Sequence, residues 1–80
     1  MVDSVYEGQV DQDEIEQGLG RYSSKLNGDI YEGEWKNGFY HGYGRMIYGK
    51  NHEVDYYMGH WKTGRKHGIG LQILKDGTVQ

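Results

Sequence analysis

The residues here that could do chemistry are few: four histidines, a Glu32/Glu34 pair, three Gly-x-Gly pairs and the stretch Lys62, Arg65, Lys66, His67. With no cysteine there is no thiol nucleophile, disulfide or zinc ribbon. Ser4, Ser23 and Ser24 have no base in any recognisable motif. Glu32 and Glu34, two residues apart on a strand, share a face as an acid/base pair would. No concave site accompanies them, so a solvated strand face is the better reading. His41 and His67 fall at equivalent places of a repeat, roughly 10 Å apart across two strand spacings. Metal ligands must lie within about 2.0–2.1 Å of the ion, so these two cannot share one without further ligands. Their expected role is structural, as turn imidazoles bonding backbone and packing on a ring, with His52 and His60 at the surface. The Gly-x-Gly pairs open no helix and lack the context of a dinucleotide loop. We therefore expect no enzyme, catalytic residue, metal or cofactor.

What positions these residues is internal repetition, the first feature to look for in a chain. Tyr31-Glu32-Gly33-Glu34-Trp35-Lys36-Asn37-Gly38 leads to His41-Gly42-Tyr43-Gly44. Tyr57-Met58-Gly59-His60-Trp61-Lys62-Thr63-Gly64 leads, 26 residues on, to His67-Gly68-Ile69-Gly70. A weaker copy precedes them in Tyr6-Glu7-Gly8 and Gly18-Leu19-Gly20, with Val10 for the tryptophan and Gln17 for the histidine. It reads as a degenerate capping repeat over 6–28, ahead of full repeats at 31–54 and 57–79, in one domain of 80 residues.

Within a repeat, Tyr31, Gly33 and Trp35 alternate with Glu32, Glu34 and Lys36, which is the period of a strand. Asn37-Gly38 supplies a tight turn, and Asn27-Gly28 and Asp76-Gly77 mark turns between repeats. The expected strands are 5–10, 18–25, 29–36, 42–48, 55–62 and 68–74, with a stub at 78–80. Strand glycines need a reason, and the expected one is an aromatic ring lying over bare backbone. Glycine at 14 positions, eight tyrosines and no proline agree with short strands and tight turns.

At these residues the sequence resembles the MORN (membrane occupation and recognition nexus) repeat family. The signature shared is Tyr-x-Gly-x-Trp, a turn glycine, His-Gly-x-Gly and a closing Asp-Gly or Asn-Gly turn. The resemblance spans about residues 6–79. It implies an all-β fold, an elongated single-layer antiparallel meander of stacked hairpins. It also implies an interaction or scaffolding arm, as in cytoskeletal, axonemal and membrane-junction proteins. The family occurs too as an appendage of enzymes, among them SET-type lysine methyltransferases and phosphatidylinositol phosphate kinases.

A thin sheet cannot cover both its faces, and exposed Tyr/Trp-rich patches mark protein contacts. The expected partner-binding residues are Tyr31, Trp35, Phe39, Tyr43, Tyr57 and Trp61, facing an amphipathic helix or a second copy. Trp35 and Trp61 also read as core. The alternatives are a MORN arm of a larger enzyme, and a peripheral membrane module that meets anionic lipid through Lys62, Arg65, Lys66 and His67, at about 1 kcal/mol per nearby cation. Residues 1–20 carry six acids and no base, whereas 57–80 carry four bases against Asp76, for a net −3 overall. That split disfavours broad nucleic-acid binding. No apolar run reaches the roughly 18 residues of a membrane helix and no signal-peptide core is present. The expected location is the cytoplasm, at the cytoskeleton or a membrane.

Overall fold

A computed structural model describes residues 3–80. Six strands form one antiparallel sheet in chain order: β1 Ser4–Val10, β2 Glu16–Ser24, β3 Ile30–Lys36, β4 Phe39–Ile47, β5 Val54–Lys62 and β6 Arg65–Leu74. The extents of 42 × 33 × 14 Å are those of a single layer with side chains on both faces. The all-β meander expected from the repeat is therefore the fold.

The turns explain where the strands begin. Asn37 and Gly38 have φ of 51° and 83°, and Thr63 and Gly64 have 48° and 79°. Two-residue turns of this kind match the twist of the flanking strands, so β4 and β6 start directly after them. The strands thus begin earlier than the glycine pairs suggest. Gly18, Gly42 and Gly68, at φ 86°, 70° and 70°, lie inside strands rather than at their starts. Around Gly42 the register slips, with Gly33 opposite Gly44 but Trp35 opposite Tyr40, so the conformation is that of a bulge. The acidic β1–β2 connection closes on Asp11, whose carboxylate accepts the amides of Asp13 at 2.8 Å and Ile15 at 3.1 Å.

The expected seventh strand is a fragment. Gln72 and Gln80 exchange backbone hydrogen bonds of 3.1 and 2.7 Å, and Ile73 bridges Val79. Gln80 thereby stands opposite Gln72 as Tyr31 stands opposite Tyr22, in the place of a repeat's first tyrosine.

Register assigns the faces. Paired positions run Tyr6, Tyr22, Tyr31, Met46, Tyr57, Gln72 along one row. Beside it Gly8, Gly20, Gly33, Gly44, Gly59 and Gly70 form an unbroken row of glycine across all six strands. The rings lie down on that row. Tyr31 covers Gly33 and Gly44, Tyr57 covers Gly59 and Gly70, and Tyr6 covers Gly8 and Gly20. Each hydroxyl donates to the carbonyl three residues on: Tyr6 to Gln9 at 2.6 Å, Tyr31 to Glu34 at 2.8 Å, Tyr57 to His60 at 3.1 Å.

The tryptophans tie neighbouring repeats. Trp35 Nε1 donates to the Gly20 carbonyl and Trp61 Nε1 to that of Gly44, both at 3.1 Å. Edge-to-face contacts then zigzag from Tyr6 through Trp35, Tyr31 and Trp61 to Tyr57, with centroids 5.1 to 5.5 Å apart. Tyr40 stacks on Tyr31 at 4.1 Å and closes the cluster from outside. A single sheet makes a core by stacking rings two deep on a glycine floor, and each such pair adds about 0.5–1.5 kcal/mol beyond its burial.

Candidate functional site

The aromatic face is therefore spent largely on the fold. Tyr31 is 0% exposed, and Trp35, Tyr57 and Trp61 are buried. These four of the six expected contact residues are core, because rings from adjacent repeats cover one another. Phe39 and Tyr43 are the two left in solvent, 50% and 55% exposed.

They do not lie together. Phe39 follows the Asn37-Gly38 turn and lines a half-open groove of about 260 Å³ with Glu16, Tyr22, Trp35, Gly38, Tyr40 and Gly64. Tyr43 sits between Gly42 and Gly44, opposite His60, on the reverse face. That face carries two residues that sequence reasoning left out of the site. Leu19 and Ile69 hold the middle of the other Gly-x-Gly pairs, 62% and 85% exposed. Leu19 pairs with Glu34 and Tyr43 with His60, while at the two bulges the pairs Gly33/Gly44 and Gly59/Gly70 set Tyr43 beside Glu34 and Ile69 beside His60, so the row reads Leu19, Glu34, Tyr43, His60, Ile69 across β2 to β6. The signal was present in the sequence, since an apolar residue occupies the middle of all three pairs.

Beside that row, Glu7, Arg21, Glu32 and Arg45 alternate in register. Glu32 is exposed between two arginines, which suits a solvated strand face. Glu34 serves the fold, since its carboxylate accepts the amide of Tyr43, as the Gln9 side chain accepts that of Leu19 at 2.7 Å. The bulge at Gly42 or Gly18 turns that amide towards the side chain.

The histidines depart from expectation. His41 and His67 line one open recess with His60, Lys62 and Ile69, and no side-chain hydrogen bond of either is found among the described residues. The imidazole that bonds backbone and packs on a ring is His52, whose Nδ1 accepts the Val54 amide at 3.0 Å and which stacks on Tyr48 at 4.1 Å. Among the described residues no three His, Asp or Glu side chains are placed to share a metal ion.

The basic end is also partly committed. Lys66 Nζ lies 5.0 Å from the Tyr57 centroid and 5.2 Å from that of Tyr48, and donates to Gln72 Oε1 at 2.8 Å. Burial there lowers its pKa. Lys75 donates to the carbonyls of Gly49 and Val54 at 3.1 and 2.9 Å and pairs with Asp55 at 3.7 Å. Lys62 and Arg65 remain directed to solvent beside His67.

With ring, glycine and indole repeating in register, the family is decided by the comparison of the repeat itself. A model of the MORN repeat matches residues 31–53 and 57–79. The chain belongs to the MORN repeat family. MORN repeats generally serve as modules that contact protein or lipid and are typically not catalytic. Among curated proteins, none matches the chain. The β1–β2 hairpin lies outside the matched MORN residues, yet Tyr6, Gly8 and Gly20 repeat the same ring-on-glycine packing.

Proposed function

We propose that this MORN chain is a non-catalytic binding module whose partner protein lies across the reverse face of the sheet, on Leu19, Tyr43 and Ile69. The observation that carries this reading is the exposure of an apolar side chain at the centre of every Gly-x-Gly pair, in one row. Single exposed apolar residues are ordinary, but an aligned set marks a contact surface. The three stand on alternate strands, roughly 9–10 Å apart. Residues i, i+7 and i+14 of a helix are spaced about 10.5 Å. An amphipathic helix crossing the strands could therefore place one apolar residue on each. Glu34 and His60, between them, supply polar edges to the track.

The test is a Leu19→Ser/Tyr43→Ser/Ile69→Ser variant titrated calorimetrically against a partner identified with the native chain. None of the three is in the core, so the circular dichroism spectrum should be retained while affinity falls at least tenfold. Unchanged affinity would remove the reading.

A second reading, contact with anionic lipid, is favoured by the recess that Lys62, Thr63, Arg65, Lys66 and His67 line at one hairpin tip. Lys66 is exposed in that recess but held over tyrosine rings, whereas Lys62 and Arg65 are directed to solvent. Co-sedimentation with anionic liposomes at low and physiological salt tests it, since adsorption of so few charges must collapse as salt rises.

A further inference from the structure

The groove at the Asn37-Gly38 tip is on the opposite face from the Gly-x-Gly row and has a different chemistry. Its walls are rings. Trp35 meets Tyr40 edge-to-face at 5.0 Å and 75°, and Tyr22 at 6.3 Å and 67°. Phe39 forms the outer wall, and Gly64, where a Cβ would meet Phe39 Cδ1 at 3.6 Å, leaves room beside it. The charged residue in the lining is Glu16. Its backbone carbonyl accepts the Gly38 amide at 3.0 Å, which fixes the start of β2 against the turn. No ion pair or side-chain hydrogen bond of the Glu16 carboxylate is found among the described residues. At about 260 Å³ the groove is smaller than sites for drug-sized ligands and suits a single side chain.

We propose that this groove is a cation site that takes the alkylammonium group of a partner protein's lysine side chain, held against the π faces that the rings of Tyr22, Trp35, Phe39 and Tyr40 offer it and facing the Glu16 carboxylate. Aromatic walls with a carboxylate rim are the chemistry that selects an ammonium, because ring quadrupoles and a fixed negative charge both attract it. The same sheet already holds one ammonium in this manner, with Lys66 Nζ 5.0 and 5.2 Å from two tyrosine centroids. Charge complementarity points the same way: Glu16 closes the 1–20 segment, which has six acids and no base. That acidity also decides between sources of ammonium. A choline headgroup arrives with a phosphate beside its cation, which the acidic hairpin repels, whereas a lysine side chain arrives on a neutral stem. The inference rests on the protein-binding reading for its source of lysine. It uses other residues, so its failure leaves the Gly-x-Gly row untouched.

The experiment is a nuclear magnetic resonance titration of the full chain with three probes. These are a short lysine-containing peptide, the same peptide with a neutral norleucine in place of the lysine, and phosphatidylcholine vesicles. The lysine peptide is expected to shift the Trp35 indole and the Gly38, Phe39 and Gly64 amides, while the Trp61 indole stays still. Phe39→Ala should remove these shifts and Glu16→Gln should weaken binding several-fold; Phe39 is half exposed and Glu16→Gln keeps shape, so both should fold. Equal shifts from the norleucine peptide would overturn the proposal, leaving an apolar groove only. So would shifts reproduced by sodium chloride, stronger binding to the vesicles, or no shift at any of these positions.

Discussion

The ring of Tyr31 lies across the bare backbone of Gly44, while its hydroxyl donates at 2.8 Å to the Glu34 carbonyl of its own strand. One side chain thus joins β3 to β4 and turns the absence of a side chain into packing. The relation recurs between Tyr57 and Gly70 and between Tyr6 and Gly20, so it is the unit from which this sheet is built.

Gly44→Ala should therefore be among the costliest single changes. A Cβ there would overlap the Tyr31 ring, which is fully buried and cannot move aside. Overpacking of this kind costs about 3 kcal/mol, a large part of a small domain's stability. Gly68→Ala is the control. Nothing lies within 4 Å of its Cβ position, so its cost is the conformational strain of φ 70°, about 1 kcal/mol. Urea denaturation of both variants checks the order, and equal losses would refute the ring-on-glycine account.

Thr63→Asn should stabilise the chain. Thr63 is β-branched and held at φ 48°, whereas the equivalent turn uses Asn37 at φ 51°. Asparagine tolerates this region where threonine is strained, a difference of about 1 kcal/mol. For a chain of this size that is a rise of roughly 4–8 °C in Tm, readable by thermal circular dichroism. No rise would mean that the turn is already relaxed.

Stability should fall in alkali. Burial pushes the Tyr40 hydroxyl up to about 12, with neighbouring Tyr22, Asp29 and Tyr48 adding to it. Burial raises Tyr6, Tyr31, Tyr48 and Tyr57 as well. Below about pH 10 tyrosine is protonated in both folded and unfolded chains, and the tyrosines add no pH dependence to folding. Between about pH 10 and 12 the unfolded chain loses protons that the folded one keeps, so stability declines as pH rises. Urea midpoints measured across that window should drop together with the appearance of phenolate absorbance. Tyr40→Phe should lessen the drop, and an identical drop in that variant would show that Tyr40 does not contribute.

Lys66→Ala should cost about 0.5–1 kcal/mol by removing an ammonium from two tyrosine faces. Lys62→Ala, on the same hairpin but directed to solvent, should change stability by less than about 0.5 kcal/mol. Chemical denaturation of the pair distinguishes them, and equal effects would place Lys66 with the free surface charges.

Much of this is legible in the residues and their spacing. Strand alternation in Tyr31-x-Gly-x-Trp35, the Asn-Gly turns and the 26-residue offset determine hairpins of one kind, and local periodicity is all that a meander requires. Tyrosine over strand glycine was also inferable, because nothing else accounts for glycine at a fixed place in a strand. The bulge at Gly42 was not, since a glycine's sign of φ is invisible in its name.

What the sequence determined by itself was the repeat, its strands, its turns and its family. Which rings would be core and which would be surface was decided only by register between strands. Tyr31 and Tyr43 are both tyrosines in strands of one repeat, yet one is 0% and the other 55% exposed. The difference lies in whether a ring meets the glycine row and the next repeat's indole or projects from the other face. Lys66 makes the same point for charge: it follows Arg65 in sequence but pairs with Trp61 in the sheet, and so faces the rings. Burial in a single-layer sheet depends on neighbours two strands away, a distance that composition and local spacing do not encode.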